Sequence, residues 1–188
     1  MLVVRLFCAW LVADFITGVA HWFEDRYLVN GQIARENELH HTKPTAMLCV
    51  SEWENVRQTV TISTTVAVVL CFVGAPMVVW LGAWLAGWGN LVHRWAHSPL
   101  RSRPWLIRQL QRVGFFISTA EHDAHHKAMG ELIPKSDAKW KFCAMTNYLN
   151  PVLDAVRFWS AAEWLLARVG LQVITNEPPC PQQVRQCG

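Results

Sequence analysis

The sequence is short of charge, and it lacks the cysteine and lysine/arginine patterns of a soluble metal-finger or nucleic-acid-binding protein. Charged residues make up 16% of its 188 residues, against about 25% in ordinary soluble domains. The formal net charge is only +3 and there is no Lys/Arg run, which argues against nucleic acid as a partner. A weakly basic face toward anionic lipid headgroups accounts for that balance better. The cysteines (Cys8, Cys49, Cys71, Cys143, Cys180 and Cys187) form no CxxC pair and follow no even spacing, so neither a zinc ribbon nor a disulfide framework is expected. Cys8 and Cys71 lie inside apolar segments and read as small hydrophobes. The HExxH signature of zinc proteases is missing because Arg94 follows His93. No internal repeat or low-complexity block is evident, and no retention or transit signal is legible.

What the chain does contain is apolar sequence, tryptophan and clustered histidine. Hydrophobic residues reach 52%, and there are eleven tryptophans. Many of these (Trp22, Trp80, Trp84, Trp88, Trp95, Trp105) stand beside apolar runs, where indole rings anchor at a membrane interface. Leu2 to Phe23 is apolar except for Arg5, Asp14 and His21 and is long enough to span a bilayer. A cleaved signal peptide is the competing reading, since Thr17-Gly18-Val19-Ala20 resembles a cleavage site. Asp14 interrupts the run, however, and cleavage would detach what positions His21, so an uncleaved anchor is expected. Further apolar runs at 59–75 and 77–95 flank the turn signal Gly74-Ala75-Pro76, as in a tight helical hairpin. Their length and the absence of period-two polarity favour helices over strands.

These runs define an expected fold: an all-α membrane protein with about three transmembrane helices (2–23, 59–75 and 77–95). Interfacial helices are expected at about 105–118 and 152–173, where arginines interleave with apolar residues at helical spacing. Residues 1–175 form one domain in this reading, and 176–188 a disordered tail. The hairpin turn carries no charge, whereas Arg26, Arg35, Lys43, Arg57, Arg101, Arg103, Arg108, Arg112 and Lys127 all fall on the other side. The positive-inside rule therefore places 24–58 and 98–188 in the cytosol.

All eight histidines fall in four clusters: His21; His40 and His41; His93 and His97; and His122, His125 and His126. With three spans, every one of them reaches the same face of the membrane. His93 and His97 are four apart and share a helix face, as His122 does with His125 and His126. Imidazole is the commonest protein ligand for transition metals. Eight are too many for one ion, since structural zinc takes four protein ligands and catalytic zinc three, so two ions with open positions are expected. A bis-histidine haem needs ligands on facing helices inside the bilayer and fits less well. Iron is favoured because all-imidazole sites at a lipid surface suit oxygen chemistry, with zinc the alternative. Carboxylate and amide groups that can orient the imidazoles are Asp14, two helical turns before His21, and Asp25, Glu36, Glu38, Asn90 and Asp123 beside other ligands. An acid such as Asp14 within a span is a functional candidate by default.

At these residues the sequence resembles the Kua-type lipid desaturases, the family of plasmanylethanolamine desaturase and of the plastid phosphatidylglycerol palmitate desaturase. The resemblance runs through Ala13-Asp14-Phe15, Gly18, His21-Trp22, Glu38-Leu39-His40-His41 and Pro44-Thr45-Ala46. It continues through Asn90 to His97, His122 to His126, Phe142-Cys143, Leu149-Asn150-Pro151 and Phe158-Trp159. It implies an oxidoreductase with two non-haem irons held by the eight histidines, using O₂ and an external electron carrier such as cytochrome b5 or a ferredoxin. The implied reaction forms the vinyl-ether bond of plasmalogens from an alkyl ether phospholipid. An acyl-phospholipid desaturase, a lipid hydroxylase and a non-catalytic membrane metal-binding homologue remain the alternatives. The implied location is an integral membrane protein with its metal site on the cytosolic face, in the endoplasmic reticulum if the source is eukaryotic.

The chain also departs from the family pattern. Family members usually carry a further hydrophobic helix ahead of the His-Trp helix, so either a short form or an incomplete N-terminus is expected; Glu121 stands where a histidine is common, and a histidine often found before the Phe-Cys pair is missing. Its 127–141 segment is longer and more charged.

Overall fold

The computed structural model describes residues 1–28, 30–129 and 139–173. Among them the regular structure is entirely helical. The expected tail at 176–188, with Cys180 and Cys187, lies outside the described residues. Cys8, Cys71 and Cys143 are free thiols. Cys49 is disulfide-bonded, which the cysteine spacing gave no reason to expect.

Helix α1 (Leu2–Tyr27) is the one helix, among the described residues, long and apolar enough to cross a membrane by length and composition. It continues a turn beyond the apolar run, carrying Asp25 and Arg26 within helix. Its buried residues Ala9, Ala13, Asp14, Gly18, His21 and Trp22 recur at three- and four-residue spacing and form one stripe. The remaining sides of the helix leave Leu2, Val3, Val4, Leu6 and Phe7 exposed.

The second apolar run belongs to α3 (Glu52–Phe72), which starts earlier than the apolar residues do. Ser51 sets that start by accepting a hydrogen bond from the Glu54 backbone N–H at 3.1 Å, an N-cap that satisfies one of the orphan donors of the first turn. The chain reverses after α3 at Gly74, whose φ of 77° suits a residue without a Cβ. The expected third span is not one helix. It divides into α4 (Met77–Ala86) and α5 (Gly89–His97) at Gly87-Trp88. The break re-aims α5, so that His93 and His97 point into the protein.

Helix α4 packs against both α1 and α3. Gly87 permits the α3 contact. Thr59 Oγ1 on α3 donates to the Gly87 carbonyl at 2.8 Å, and a Cβ at Gly87 would collide with Ser63 Oγ and lie 3.0 Å from the Thr59 carbonyl oxygen. A small residue lets the two helix backbones approach closely at this point. Gly87→Ala is expected to destabilise the chain by roughly 1–3 kcal/mol, the usual cost of overpacking. That corresponds to a fall of roughly 2–10 °C in the thermal midpoint of detergent-solubilised protein. Ser63→Gly in the same chain should recover part of it.

The polar helices are α2 (Gln32–Thr42), α6 (Trp105–Arg112) and α7 (Thr119–Met129). The expected interfacial helix at 105–118 stops at Arg112 because the chain turns at Gly114 (φ 76°). The one expected at 152–173 is two helices, α8 (Asn150–Ala155) and α9 (Phe158–Arg168), parted at Arg157, which has φ 54°.

Candidate metal centre

Four helices deliver the histidines: α1 brings His21, α2 brings His40 and His41, α5 brings His93 and His97, and α7 brings His122, His125 and His126. All eight meet in two adjacent groups. In the first, potential ligand atoms of His40, His93, His97, His122 and His126 lie within 4.8 Å of one another. In the second, His21, His41 and His125 gather with Asp25 on the same criterion.

The spacing within the first group is that of a coordination shell. Nε2 of His93 lies 2.7 Å from Nε2 of His122 and 3.3 Å from Nε2 of His97. Nε2 of His126 lies 3.0 Å from that of His122 and 3.3 Å from that of His97. Metal–nitrogen bonds of about 2.0–2.1 Å place neighbouring ligand nitrogens about 2.8–3.0 Å apart in octahedral geometry and about 3.3–3.4 Å in tetrahedral. Nitrogens facing one another in this way cannot all be satisfied by one proton each. Both ring nitrogens of His40 are buried without a hydrogen-bond partner, as are Nε2 of His21 and His125. Buried polar atoms are rarely left so, and a cation among them supplies the missing partner.

Burial, with the other imidazoles close by, holds His97 down to about 4, and pushes His40 and His126 lower still. At neutral pH these rings are therefore uncharged and keep the lone pair that a metal ligand needs.

In the second group Asp25 is central. Its side chain is fully buried, with Oδ1 2.8 Å from His41 Nε2 and Oδ2 3.2 Å from His125 Nε2 and 3.5 Å from His21 Nε2. Asn37 Nδ2 also donates to Oδ1 at 2.8 Å. Two of these imidazoles are oriented from behind. Nδ1 of His125 lies 2.7 Å from the Trp140 carbonyl oxygen and Nδ1 of His21 lies 3.2 Å from that of Phe142. Each Nδ1–H donates to its carbonyl, which fixes the tautomer with the Nε2 lone pair facing Asp25.

The carbonyls belong to a segment laid antiparallel along α1. Thr146 donates its backbone N–H and its Oγ1 hydroxyl to the two carboxylate oxygens of Asp14, at 2.8 and 2.7 Å. Cys143 abuts Gly18, where a Cβ would stand 2.7 Å from its Sγ. The Trp140 ring lies 5.0 Å beneath the Arg26 guanidinium. Asn150 clamps the middle, accepting from Cys143 N–H at 2.9 Å and donating to the Cys143 carbonyl at 3.0 Å. Lys141 adopts φ 51° between the two carbonyls that turn to the imidazoles. Sequence reasoning paired Asp14 with His21. The carboxylate instead spends both oxygens on Thr146 and reaches the histidines through this segment.

The remaining orienting candidates are placed otherwise. Glu36, Glu38 and Asp123 are exposed. Asn90 offers its backbone carbonyl to Asn55 Nδ2 at 3.0 Å, and its side chain makes no hydrogen bond among the described residues. Arg103, which the sequence did not single out, is buried and binds the carbonyls of Ala96 and Ser98, Gln111 Oε1 and Thr119 Oγ1. It ties the end of α5 to α6 and to the start of α7, fixing His97 relative to His122. Glu121 closes a capping box with Ser118 at the start of α7, its Oε2 accepting from Ser118 N–H and Oγ at 2.9 Å each. Glu121 thus caps the helix that carries His122, His125 and His126.

Fold and site together define an all-helical protein with a histidine-rich centre able to hold metal. The chain belongs to the lipid desaturase family: the family model described as the lipid desaturase domain matches residues 10–173. A probable fatty acid desaturase of Acanthamoeba polyphaga mimivirus is 26% identical over 174 residues, covering 85% of this chain and 80% of that protein. Plasmanylethanolamine desaturase 1 of Mus musculus is 26% identical over 188 residues, covering 90% of this chain and 64% of that protein. A chloroplastic fatty acid desaturase 4-like protein of Arabidopsis thaliana is 25% identical over 177 residues, covering 85% and 55%. The chain thus spans less than two thirds of the mouse and plant relatives. No solved structure matches it.

Proposed function

We propose that the chain is a membrane-bound, O₂-dependent lipid desaturase whose two irons are held by the eight histidines with Asp25. On this reading its substrate is an alkyl ether phospholipid, converted to the vinyl ether of a plasmalogen. The observation that carries the reading is the convergence of all eight imidazoles, from four helices, into two adjacent groups in a chain of the lipid desaturase family. The relatives named for plasmanylethanolamine desaturation support the ether lipid, and those named as fatty acid desaturases keep an acyl chain as the second reading. Exposed Ile62, Val66, Val68, Val69 and Phe72 on α3, with the exposed residues of α1, would face the acyl chains of a bilayer with the centre on its cytosolic side.

Bound iron would supply O₂ activation and removal of hydrogen from an unactivated carbon pair. The balance is one CH₂–CH₂ unit, O₂, two electrons and two protons giving CH=CH and two waters, with the electrons from a carrier such as cytochrome b5 or a ferredoxin. The chain's own part is to hold the ligand set rigid and dry. His21 and His125 are locked through Nδ1 by backbone carbonyls, Asp25 stands among Nε2 of His21, His41 and His125, and Arg103 fixes α5 against α7. Burial of His93, His122 and His125 excludes bulk water, which would intercept reactive oxygen species.

Expression in cells lacking plasmalogen synthesis, followed by lipid mass spectrometry, tests this reading. Vinyl-ether phospholipids should appear with the wild-type chain. Hydroxylated chains without new double bonds would establish a hydroxylase instead, and an unchanged lipid profile from an iron-loaded protein would overturn the enzymatic reading.

A further inference from the structure

An open cleft of about 620 Å³ runs between the end of α5, α6 and the start of α7, lined by His97, Ser98, Leu100, Arg103, Arg108, Arg112 and neighbouring residues. One of its walls is therefore a candidate metal ligand. Between Ser98 and Ala120 the chain has four arginines and no carboxylate. Arg103 is spent on structure, as described above. Arg108 and Arg112 are different: four residues apart on α6, they share a face, and neither side chain makes a hydrogen bond or ion pair among the described residues. Around them Leu100, Trp105, Leu106 and Val113 are 56–71% exposed. Unpaired guanidinium groups set among exposed aliphatic and indole side chains suit the headgroup level of a bilayer, where one surface meets both phosphate and acyl chain.

We propose that this cleft binds the phosphate of the substrate lipid, with Arg108 and Arg112 as its ligands. The assignment rests on the desaturase reading in one respect: a vinyl ether forms at the first carbon pair of the alkyl chain, and only the glycerol backbone separates that pair from the phosphate. A headgroup site must then adjoin the metal centre, and this cleft does so at His97. Guanidinium suits the task because its planar fork binds phosphate oxygens in pairs. The same arginines could instead meet an acidic electron-carrier protein. The exposed Trp105, Leu106 and Val113 on the same stretch favour lipid, because a bilayer keeps apolar side chains covered, whereas a carrier that docks and leaves would return them to water at every turnover.

Binding of a short-chain 1-O-alkyl glycerophosphoethanolamine and of the matching 1-O-alkylglycerol, which lacks the phosphate, is measured on detergent-solubilised, iron-loaded full chain by titration calorimetry. The comparison is wild type against Arg108→Gln/Arg112→Gln, with iron content measured alongside. The wild type should prefer the phosphorylated amphiphile by at least about tenfold, a factor within reach of one charge-assisted pair. The double variant should lose that preference while keeping the iron content of the wild type, and inorganic phosphate at millimolar concentration should compete weakly. Equal binding of both amphiphiles by wild type and variant would overturn the proposal whether or not the chain proves to be a desaturase. Full displacement of the lipid by millimolar phosphate would assign the cleft to the free anion and overturn it too. Unchanged lipid binding with a raised KM for the reduced electron carrier would assign the surface to the carrier. Conversely, lost phosphate preference in the variant with no desaturation by the wild type would uphold the cleft while the reaction assigned above fails.

Discussion

Alanine at His93 is expected to bring the iron content from about two per chain to about one and to take lipid desaturation below detection. Four nitrogens of the five-imidazole group lie 2.7–3.3 Å from their neighbours around the cluster, and His93 is buried against His40, His97 and His122. Removing it leaves a cavity beside ligands that cannot close the shell, whereas loss of an outer partner typically costs only about 10–100-fold in affinity. His125→Ala should empty the other group to the same extent, because His125 faces Asp25 at 3.2 Å with no other residue to replace it. Asp25→Ala should behave like His125→Ala, and Asp25→Asn should fall between that variant and wild type. Asp123→Ala, an exposed substitution between His122 and His125, should keep both irons. Metal analysis together with Mössbauer spectra of iron-57 protein separates the cases, since each variant should retain the signal of the group it leaves intact. Loss of both irons from every histidine variant would mean one shared cluster, and loss from none would remove the metal assignment altogether.

What the sequence revealed of this centre was the part encoded in local spacing. His93/His97 and His122/His126 are four apart, so helix geometry alone faces them together, and apolar runs marked where the helices would stand. Adjacent histidines, His40-His41 and His125-His126, are legible in the same way: neighbours on a helix diverge, and the structure sends one of each pair to either group. Asp25 was visible only as an acid near His21. Its place at the hub of three imidazoles depends on α1 continuing past its apolar run, which no change in composition announced. The backbone carbonyls of Trp140 and Phe142 carry no side-chain signature at all. The division of the third apolar run at Gly87-Trp88 was hidden for a related reason: the residues on both sides are apolar, and the break follows from a close approach to Ser63 and Thr59 across a hairpin.

The segment along α1 gives a prediction in which the two metal groups should part company. Asn150 is fully buried and holds both the N–H and the carbonyl of Cys143, the residue after Phe142, whose carbonyl orients His21. Asn150→Ala leaves two backbone groups of a buried segment unpaired, at about 1–3 kcal/mol each. That is within the roughly 5–15 kcal/mol of an ordinary domain, so a folded but loosened protein is expected. Release of the segment frees Nδ1 of His21 and of His125 from their carbonyls, and the neutral rings can then place the proton on Nε2 and lose the lone pair directed at Asp25. Iron affinity of the Asp25 group should fall by about 10–100-fold, the usual cost of losing an orienting partner, while the five-imidazole group, which takes nothing from this segment, should change little. Asp14→Asn should give a smaller effect in the same direction, because an amide oxygen still accepts one of the two Thr146 hydrogen bonds. Chelator competition followed by metal analysis reads the two affinities separately. Equal weakening of both ions would show that Asn150 supports only the fold, since a general loss of stability cannot choose between two groups that share α2 and α7, whereas loss at the Asp25 group alone follows only from the carbonyls that orient His21 and His125.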